Sequence, residues 1–173
     1  MKKSISGWQI AGFLFTSVAG TLLHFLFDWT GESAIAGLFS AVNESIWEHM
    51  KLVYVPMFFF ALIQKRFADD GKFWCVKLMG MVTALVLIPV LYYTYTGALG
   101  ISLDWFNIAI FFLAAGITYY LENRLFRQGM DCLVKPGIAL GLLILVEVLF
   151  WIFTFYPPHI PLFADPRTGI FGI

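Results

Sequence analysis

Three charged side chains fall inside long apolar segments of this sequence, where they could hold a cation or move a proton. They are Glu48, Lys51 and Glu147. Charges at membrane depth are costly, usually face other protein groups and often mark functional sites. We therefore expect Glu147 to converge with Lys51 and Glu48, and three further polar residues to lie close by. The predicted ligand-binding set is Glu147, Lys51, Glu48, His24, Asp28 and Asn107.

Several polar residues also have purely structural interpretations. His24 and Asp28 are four residues apart, so they could form a hydrogen bond on one helix face. Ser45 and Glu48 match a capping box, in which serine and glutamate satisfy amides at a helix start. The helix dipole favours a carboxylate at the same helix start, so we interpret Glu44 as structural.

The histidines suggest a metal-binding alternative. His24, His49 and His159 are all predicted at one end of the bundle and are candidate zinc ligands. A bound zinc ion could activate water, with Glu48 or Glu147 as the general base. The spacing of the histidines matches no known zinc motif, so the sequence leaves the cofactor undetermined. Glu48 and His49 point about 100° apart on a helix, which disfavours joint action on one small substrate.

The elements that carry these residues are predicted to be membrane-spanning helices. Of the 173 residues, 60% are hydrophobic and 13% are charged. The apolar residues form runs of about 20, the length that crosses a bilayer. The sequence predicts a single all-α transmembrane domain, with an ordered non-helical tail over 156–173 folded back across the bundle. Its five helices are predicted at about 8–27, 44–64, 73–93, 103–122 and 133–155. Residues 34–42 are too short to span and predict an interfacial or re-entrant helix.

The basic residues predict an orientation in the cell membrane. With five spans, nine of the eleven Lys and Arg residues fall on one side, and Lys51 and Arg167 are the exceptions. The positive-inside rule then places the N-terminus in the cytoplasm and the C-terminus outside. Cys75 and Cys132 lie near the predicted cytoplasmic ends of helices, so we expect reduced, structural thiols.

Two segments carry a resemblance to known families. Residues 43–52 (NESIWEHMKL) and the tail segment 165–172 (DPRTGIFG) resemble an uncharacterised family of small bacterial integral membrane proteins. That resemblance implies a multi-pass membrane protein and no particular activity. Asn43-Glu44, Ile46-Trp47 and His49 are also similar to a motif of the progestin and adipoQ receptor family. That likeness implies a zinc hydrolase, but the family's second element, a late H-x-x-x-H pair, is not in this sequence.

Three functions fit the sequence. The first is binding or transport of a small ligand or cation in a polar pocket open to the extracytoplasmic side. Transport by so short a chain would need a homodimer or a partner transporter subunit. The second is an intramembrane hydrolase, either metal-dependent or acid–base. The third is an accessory or scaffold protein in which the polar residues only fix helix packing. Membrane lipid is the expected surrounding, and no nucleic-acid partner is expected.

Overall fold

The protein is an all-α bundle, which confirms the predicted fold class. The computed structural model describes residues 2–68, 71–128, 132 and 134–173. Within these residues there are six helices and no strand, and five of the helices are long and apolar enough to cross a membrane. The helices are α1 (Lys2–Trp29), α2 (Ala34–Gly37), α3 (Ile46–Lys65), α4 (Phe73–Leu99), α5 (Asp104–Gln128) and α6 (Pro136–Phe155).

Three helices extend well beyond the predicted boundaries, and the first of them, α1, begins at Lys2 and not near residue 8. α4 continues through residues 94–99, part of which was predicted to be a turn, and ends at Gly100 with φ of 69°. Glycine adopts this left-handed conformation without steric cost, which makes it a common helix stop. α5 continues to Gln128 through polar residues predicted to be loop. The polar residues therefore show where the apolar part of α5 ends, but the helix itself continues through them.

α3 is the central helix and packs against α1, α4, α5 and α6. In its most apolar window 72% of the residues are buried, against 22% for α1. Its N-cap is Ser45, whose hydroxyl accepts a hydrogen bond from the amide of Glu48. The amide of Ser45 donates instead to Oδ1 of Asn43 at 2.9 Å. Only half of the predicted capping box forms, which leaves the Glu48 carboxylate for other partners.

Residues 34–45 enter the bundle as a re-entrant segment. The ring of Phe39 lies 6.1 Å from the rings of both Phe59 and Trp151. Phe59 is 13 residues into α3, about 20 Å from its start by the helical rise. Ser40 is fully buried, and its hydroxyl donates to the carbonyl of Ala36 at 2.8 Å. The segment therefore contacts both α3 and α6, while Ile35 at its start remains exposed.

The tail, residues 156–173, folds back onto the start of α3. The amide of Trp47 donates to the carbonyl of Leu162 at 3.0 Å, and the ring of Phe163 lies 4.8 Å from the Trp47 ring. At the end of the chain, the amide of Ile173 donates to the carbonyl of Thr154 at 3.1 Å. These contacts hold the tail across one end of the bundle, which we call the cavity end. The opposite end, which carries Lys65 and the start of α4, is the lysine-rich end.

Cys75 and Cys132 form a disulfide, so the prediction of separate thiols is wrong. Their Cα atoms are 6.2 Å apart, although 57 residues separate them in sequence. The bond joins the first turn of α4 to the connection between α5 and α6. The sequence did not indicate the pairing because the proximity arises only when α4 packs between α5 and α6.

Close packing of α1 against α3 and α5 predicts that Gly20→Ala destabilises the protein. A Cβ at Gly20 would lie 2.6 Å from both the Leu52 carbonyl oxygen and the Phe111 ring. Overpacking of this kind costs about 1–3 kcal/mol, so the thermal unfolding midpoint in detergent should fall. Gly141→Ala is the control, because a Cβ there meets nothing within 4 Å. Equal midpoints for the two variants would contradict this packing.

Candidate functional site: a polar cavity and the buried ion pair beside it

A buried ion pair joins Glu48 to Lys51 on α3. Lys51 Nζ lies 2.6 Å from Glu48 Oε2, and the two side chains are 0% and 2% exposed. The ammonium also donates to the Gly37 carbonyl at 2.7 Å and to the Thr154 hydroxyl at 2.9 Å. An ammonium has three donors, and all three are used. Glu48 also accepts from the amide of Val42 at 3.2 Å.

This network ties three parts of the chain together. Gly37 and Val42 belong to the re-entrant region, Thr154 is near the end of α6, and Lys51 is on α3. Thr154 is fully buried and its hydroxyl lies 3.3 Å from Glu48 Oε1. Every donor of the ammonium is occupied by protein. The pair therefore has a structural role and holds α3, α6 and the re-entrant segment together near the cavity end.

Glu147 lies near this network without bonding to it. It is 5% exposed and lies seven residues before Thr154 on α6, on a similar helix face. Lys51 interacts with it electrostatically, but no ion pair joins them among the described residues. Neither carboxylate oxygen of Glu147 has a hydrogen-bond partner among the residues that the structure describes. The Trp151 indole N–H is close by but does not meet hydrogen-bond geometry. The structure thus joins Glu48 to Lys51 and leaves Glu147 separate.

The other predicted ligand-binding residues line a cavity of about 480 Å³ at the cavity end. The cavity lies between α1, α3 and α5, with Arg167 of the tail at its edge. His24 and Asp28 face it from α1, and Asn107 faces it from α5. Asn107 is partly committed to structure, since its Oδ1 accepts a hydrogen bond from the Tyr95 hydroxyl. The predicted set therefore divides into a buried network and a separate cavity lining.

Three residues on the cavity wall form a cluster with the donors that a transition metal prefers. Nε2 of His49 lies 3.6 Å from one Glu44 oxygen, and Nε2 of His24 lies 3.9 Å from the other. One ligand atom from each residue falls within 4.8 Å of the others. Bonds of about 2.05 Å in a tetrahedral zinc site place ligand atoms about 3.4 Å apart. The separations in the cluster reach beyond this spacing, so the three side chains would have to move closer together to hold an ion.

A backbone hydrogen bond orients His49 for this role. Its Nδ1 lies 2.9 Å from the Ser45 carbonyl, which can only accept, so Nδ1 carries the proton. In the neutral ring Nε2 then keeps its lone pair, and this atom faces Glu44. Metal-bound histidines commonly donate their other ring N–H to a backbone carbonyl in this way. His159 is exposed and packs on Phe171, outside the cluster.

Three carboxylates and one guanidinium line the cavity, so its charge favours a cation. The carboxylates belong to Asp28, Glu44 and Asp104, and the guanidinium belongs to Arg167. Arg167 is neutralised at the rim by Asp104, at 2.7 Å. The arrangement leaves an excess of negative charge beside the two imidazoles. A cavity with this field concentrates cations from the aqueous phase.

A carboxylate from the tail fixes the loop that carries Glu44. Oδ2 of Asp165 accepts from the Glu44 amide at 3.3 Å, and Oδ1 accepts from the amides of Arg167 and Thr168. Burial alone would raise the pKa of Asp165, but these backbone donors outweigh it and hold the pKa below its usual range. Asp165 is therefore ionised at neutral pH and keeps Glu44 in place.

The sequence interpretation undervalued Glu44 and Arg167. Glu44 has a sufficient explanation at a helix start, and only the fold brings His24 of α1 beside it. Arg167 did carry a signal, because it and Lys51 are the two basic residues outside the lysine-rich end. Each of these two forms an ion pair at the cavity end.

The fold and the cavity define the chain as a multi-span helical membrane protein with a polar pocket at one end. Residues 1–173 match the model of a family described as Family of unknown function (DUF6512), and the chain belongs to that family. No curated protein and no solved structure matches the chain significantly. The comparisons support the predicted uncharacterised family and show no likeness to the progestin and adipoQ receptor family.

The saturated network predicts that Lys51→Met strongly destabilises the protein. The substitution leaves the Glu48 carboxylate buried without its cation, and breaking a buried pair typically costs about 3–5 kcal/mol. The thermal unfolding midpoint should fall well below that of wild type. The double variant Glu48→Gln with Lys51→Met should recover much of the loss, because no charge is left unpaired.

Glu147→Gln is the comparison variant for this experiment. It removes a charge at similar depth but breaks no hydrogen bond to a described residue, so its unfolding midpoint should stay near wild type. A Lys51→Met midpoint equal to wild type would show that the pair does not fasten the bundle.

Proposed function

We propose that this protein binds a divalent transition-metal cation, with the preferences of zinc, in the cavity between α1, α3 and α5. The observation that carries the proposal is the cluster of His24, Glu44 and His49, whose ligand atoms lie within 4.8 Å of one another. Two imidazoles and a carboxylate form a borderline-soft donor set that suits zinc better than calcium or magnesium. Three protein ligands would leave a coordination position open to the cavity.

The cavity provides access and selectivity for such an ion. Its volume of about 480 Å³ leaves room for a hydrated cation or for a small ligand beside the metal. Its carboxylates attract cations, and the Asp104–Arg167 pair at the rim keeps the guanidinium charge compensated. The Glu48–Lys51 pair holds the wall from beneath without entering the cavity.

The proposed placement is the cell membrane, with the cavity end outside and the lysine-rich end in the cytoplasm. The positive-inside rule supports it. The protein would then take its cation from the extracytoplasmic side. Delivery across the membrane by so short a chain would require a second copy or a partner subunit. Bacterial origin rests only on the sequence resemblance.

Zinc titration of the purified protein in lipid nanodiscs tests the proposal. Wild type should bind one zinc ion per chain in competition with a fluorescent chelator. His24→Ala, His49→Ala and Glu44→Gln should each weaken binding by at least about 10–100-fold, the loss typical even of outer-shell substitutions. Binding should also weaken as the pH falls, because protons compete with the metal for the imidazoles.

His159→Ala is the matched control, because it removes an imidazole that lies outside the cluster. It should bind zinc as tightly as wild type. If all three cluster variants still bound one zinc ion per chain, the metal site would have to lie outside the cluster. A folded wild type that binds no transition metal would reject the proposal and favour the scaffold alternative.

The orientation predicts opposite labelling of cysteines at the two ends of α4. Gly71→Cys and Gly97→Cys are suitable, because a Cβ at either position meets nothing within 4 Å. The background would carry Cys75→Ser and Cys132→Ser. In intact cells, an impermeant maleimide should label position 97, whereas position 71 should react only after permeabilisation. The reverse pattern would invert the placement and put the cavity in the cytoplasm.

A further inference from the structure

A second group of buried polar residues lies at the lysine-rich end, apart from the cavity. Its members come from four helices and are each at most 4% exposed. We call them the inner cluster: Gln9 of α1, Gln64 of α3, Lys77 of α4, and Thr118 and Glu122 of α5. An ion pair lies at its centre, with Lys77 Nζ 2.6 Å from Glu122 Oε2.

Helix contacts on either side place both glutamines near this ion pair. On α1, Ser6 donates a hydrogen bond to Asn123, and a Cβ at Gly12 would meet the Tyr119 ring. Gln9 lies between these two contacts, opposite the stretch of α5 that contains Glu122.

The same contacts extend to α3. Phe60 packs against Trp8 and Tyr119. Gln64 is one turn further toward the lysine-rich end on the same helix, so it reaches the level of Gln9.

The two buried ion pairs of the bundle differ in how fully they are satisfied. Lys51 donates to three oxygen atoms. Among the described residues, Lys77 has one oxygen acceptor, Glu122 Oε2, and otherwise faces the rings of Phe73 and Tyr119 at 5.7 and 5.4 Å. Glu122 Oε1 has no protein hydrogen-bond partner within the same residues.

The neighbours of the inner pair are unsatisfied as well. Both amide atoms of Gln9, Oε1 of Gln64 and the hydroxyl of Thr118 have no protein partner in the described chain. A buried polar group without a partner costs about 1–3 kcal/mol, and more when charge is involved. Several such groups from three helices, α1, α3 and α5, indicate a bound small molecule that both donates and accepts hydrogen bonds. Buried water typically makes two to four such bonds.

The packing of Glu122 shows that the site is shaped around its carboxylate. A Cβ at Gly80 would lie 2.5 Å from Glu122 Oε1 and 2.7 Å from its Cγ. α4 therefore carries glycine where the carboxylate rests against its backbone. Towards the aqueous phase, Arg127 donates to the Ser6 hydroxyl at 2.5 Å, and Ser6 donates to Asn123. These groups form a polar rim one turn from Gln9 and Glu122.

We propose that the inner cluster is a second functional site, which holds ordered water and exchanges a proton between Glu122 and the aqueous phase at the lysine-rich end. The proton comes from a hydronium ion of that phase, passes along the waters and binds Glu122 Oε1. The reverse transfer returns the proton to water.

The charged and titratable groups around Glu122 determine how readily its carboxylate takes up a proton. Lys77 faces it from α4, and Tyr119 lies beside it on α5. From α3, Lys65 lies over the same Phe73 ring as Lys77. α1 contributes the uncharged Gln9, and Arg127 lies at the rim. The positive charges favour ionised Glu122, so removal of Lys77 should make protonation easier.

Infrared difference spectroscopy of the protein in lipid membranes tests this inference. As the pH is lowered, wild type should gain a protonated-carboxyl band that shifts in D2O within minutes. The band should be absent in Glu122→Gln and should appear at higher pH in Lys77→Met. The double variant Lys77→Met with Glu122→Gln leaves no unpaired charge and should fold while lacking the band.

Two controls make the test specific. The double variant Glu48→Gln with Lys51→Met removes the saturated pair without leaving an unpaired charge and should keep the band. Glu147→Gln removes the buried carboxylate whose two oxygens both lack hydrogen-bond partners among the described residues, and it should also keep the band. Loss of the band in Glu147→Gln, or a carboxyl that does not exchange in D2O, would overturn the proposal and leave Lys77–Glu122 as a dry structural pair. Because no metal is added, a negative zinc result does not affect this outcome.

Discussion

The requirement that a charge inside a membrane bundle find its partners within the protein governs this structure. Lys51 is the clearest case, because the Glu48 carboxylate, the Gly37 carbonyl and the Thr154 hydroxyl together occupy all of its donors. To supply these groups, the re-entrant segment must enter the bundle and the end of α6 must approach the start of α3. Much of the architecture of the cavity end follows from one ammonium group.

Helix geometry gives neighbouring residues of α3 different roles, because their side chains point in different directions. Glu48 and His49 are adjacent, so their side chains point about 100° apart. Glu48 turns toward Lys51, while His49 turns toward the cavity and Glu44. This angle argues against joint catalysis by the two residues. It allows Glu48 to stabilise the bundle through Lys51 while His49, in the same turn, faces the proposed metal site. The geometry of the proposed metal site on this wall therefore depends on the buried pair behind it.

The sequence predicted the five spans and the all-α class, because these depend on local apolar length. The cost of lone charges led to the expectation that Glu147, Lys51 and Glu48 converge, but only Glu48 pairs with Lys51. The sequence did not predict the Glu44 cluster, since His24 is 20 residues away and reaches Glu44 only when α1 packs on α3. The inner cluster was missed for another reason. Lys77 and Glu122 lie near predicted polar loops, where water can solvate a charged side chain. In the structure α5 continues past Glu122 to Gln128 and packs against α4, and both side chains are buried. Gln9 and Gln64 are uncharged, and a single amide in an apolar helix attracts little notice.

The disulfide and the basic residues make opposite arguments about orientation. Disulfides persist in oxidising compartments and are rare in the cytosol, whereas the charge rule places the Cys75–Cys132 end in the cytoplasm. The charge rule rests on nine basic residues at one end. This charge bias acts while the chain is inserted into the membrane. The disulfide forms only after folding has brought its two cysteines together. Because the charge bias acts before the bond can exist, the proposed placement follows the charge rule. In the cytoplasm the same bond would be exposed to reducing thiols, at the end of the bundle where the inner cluster lies.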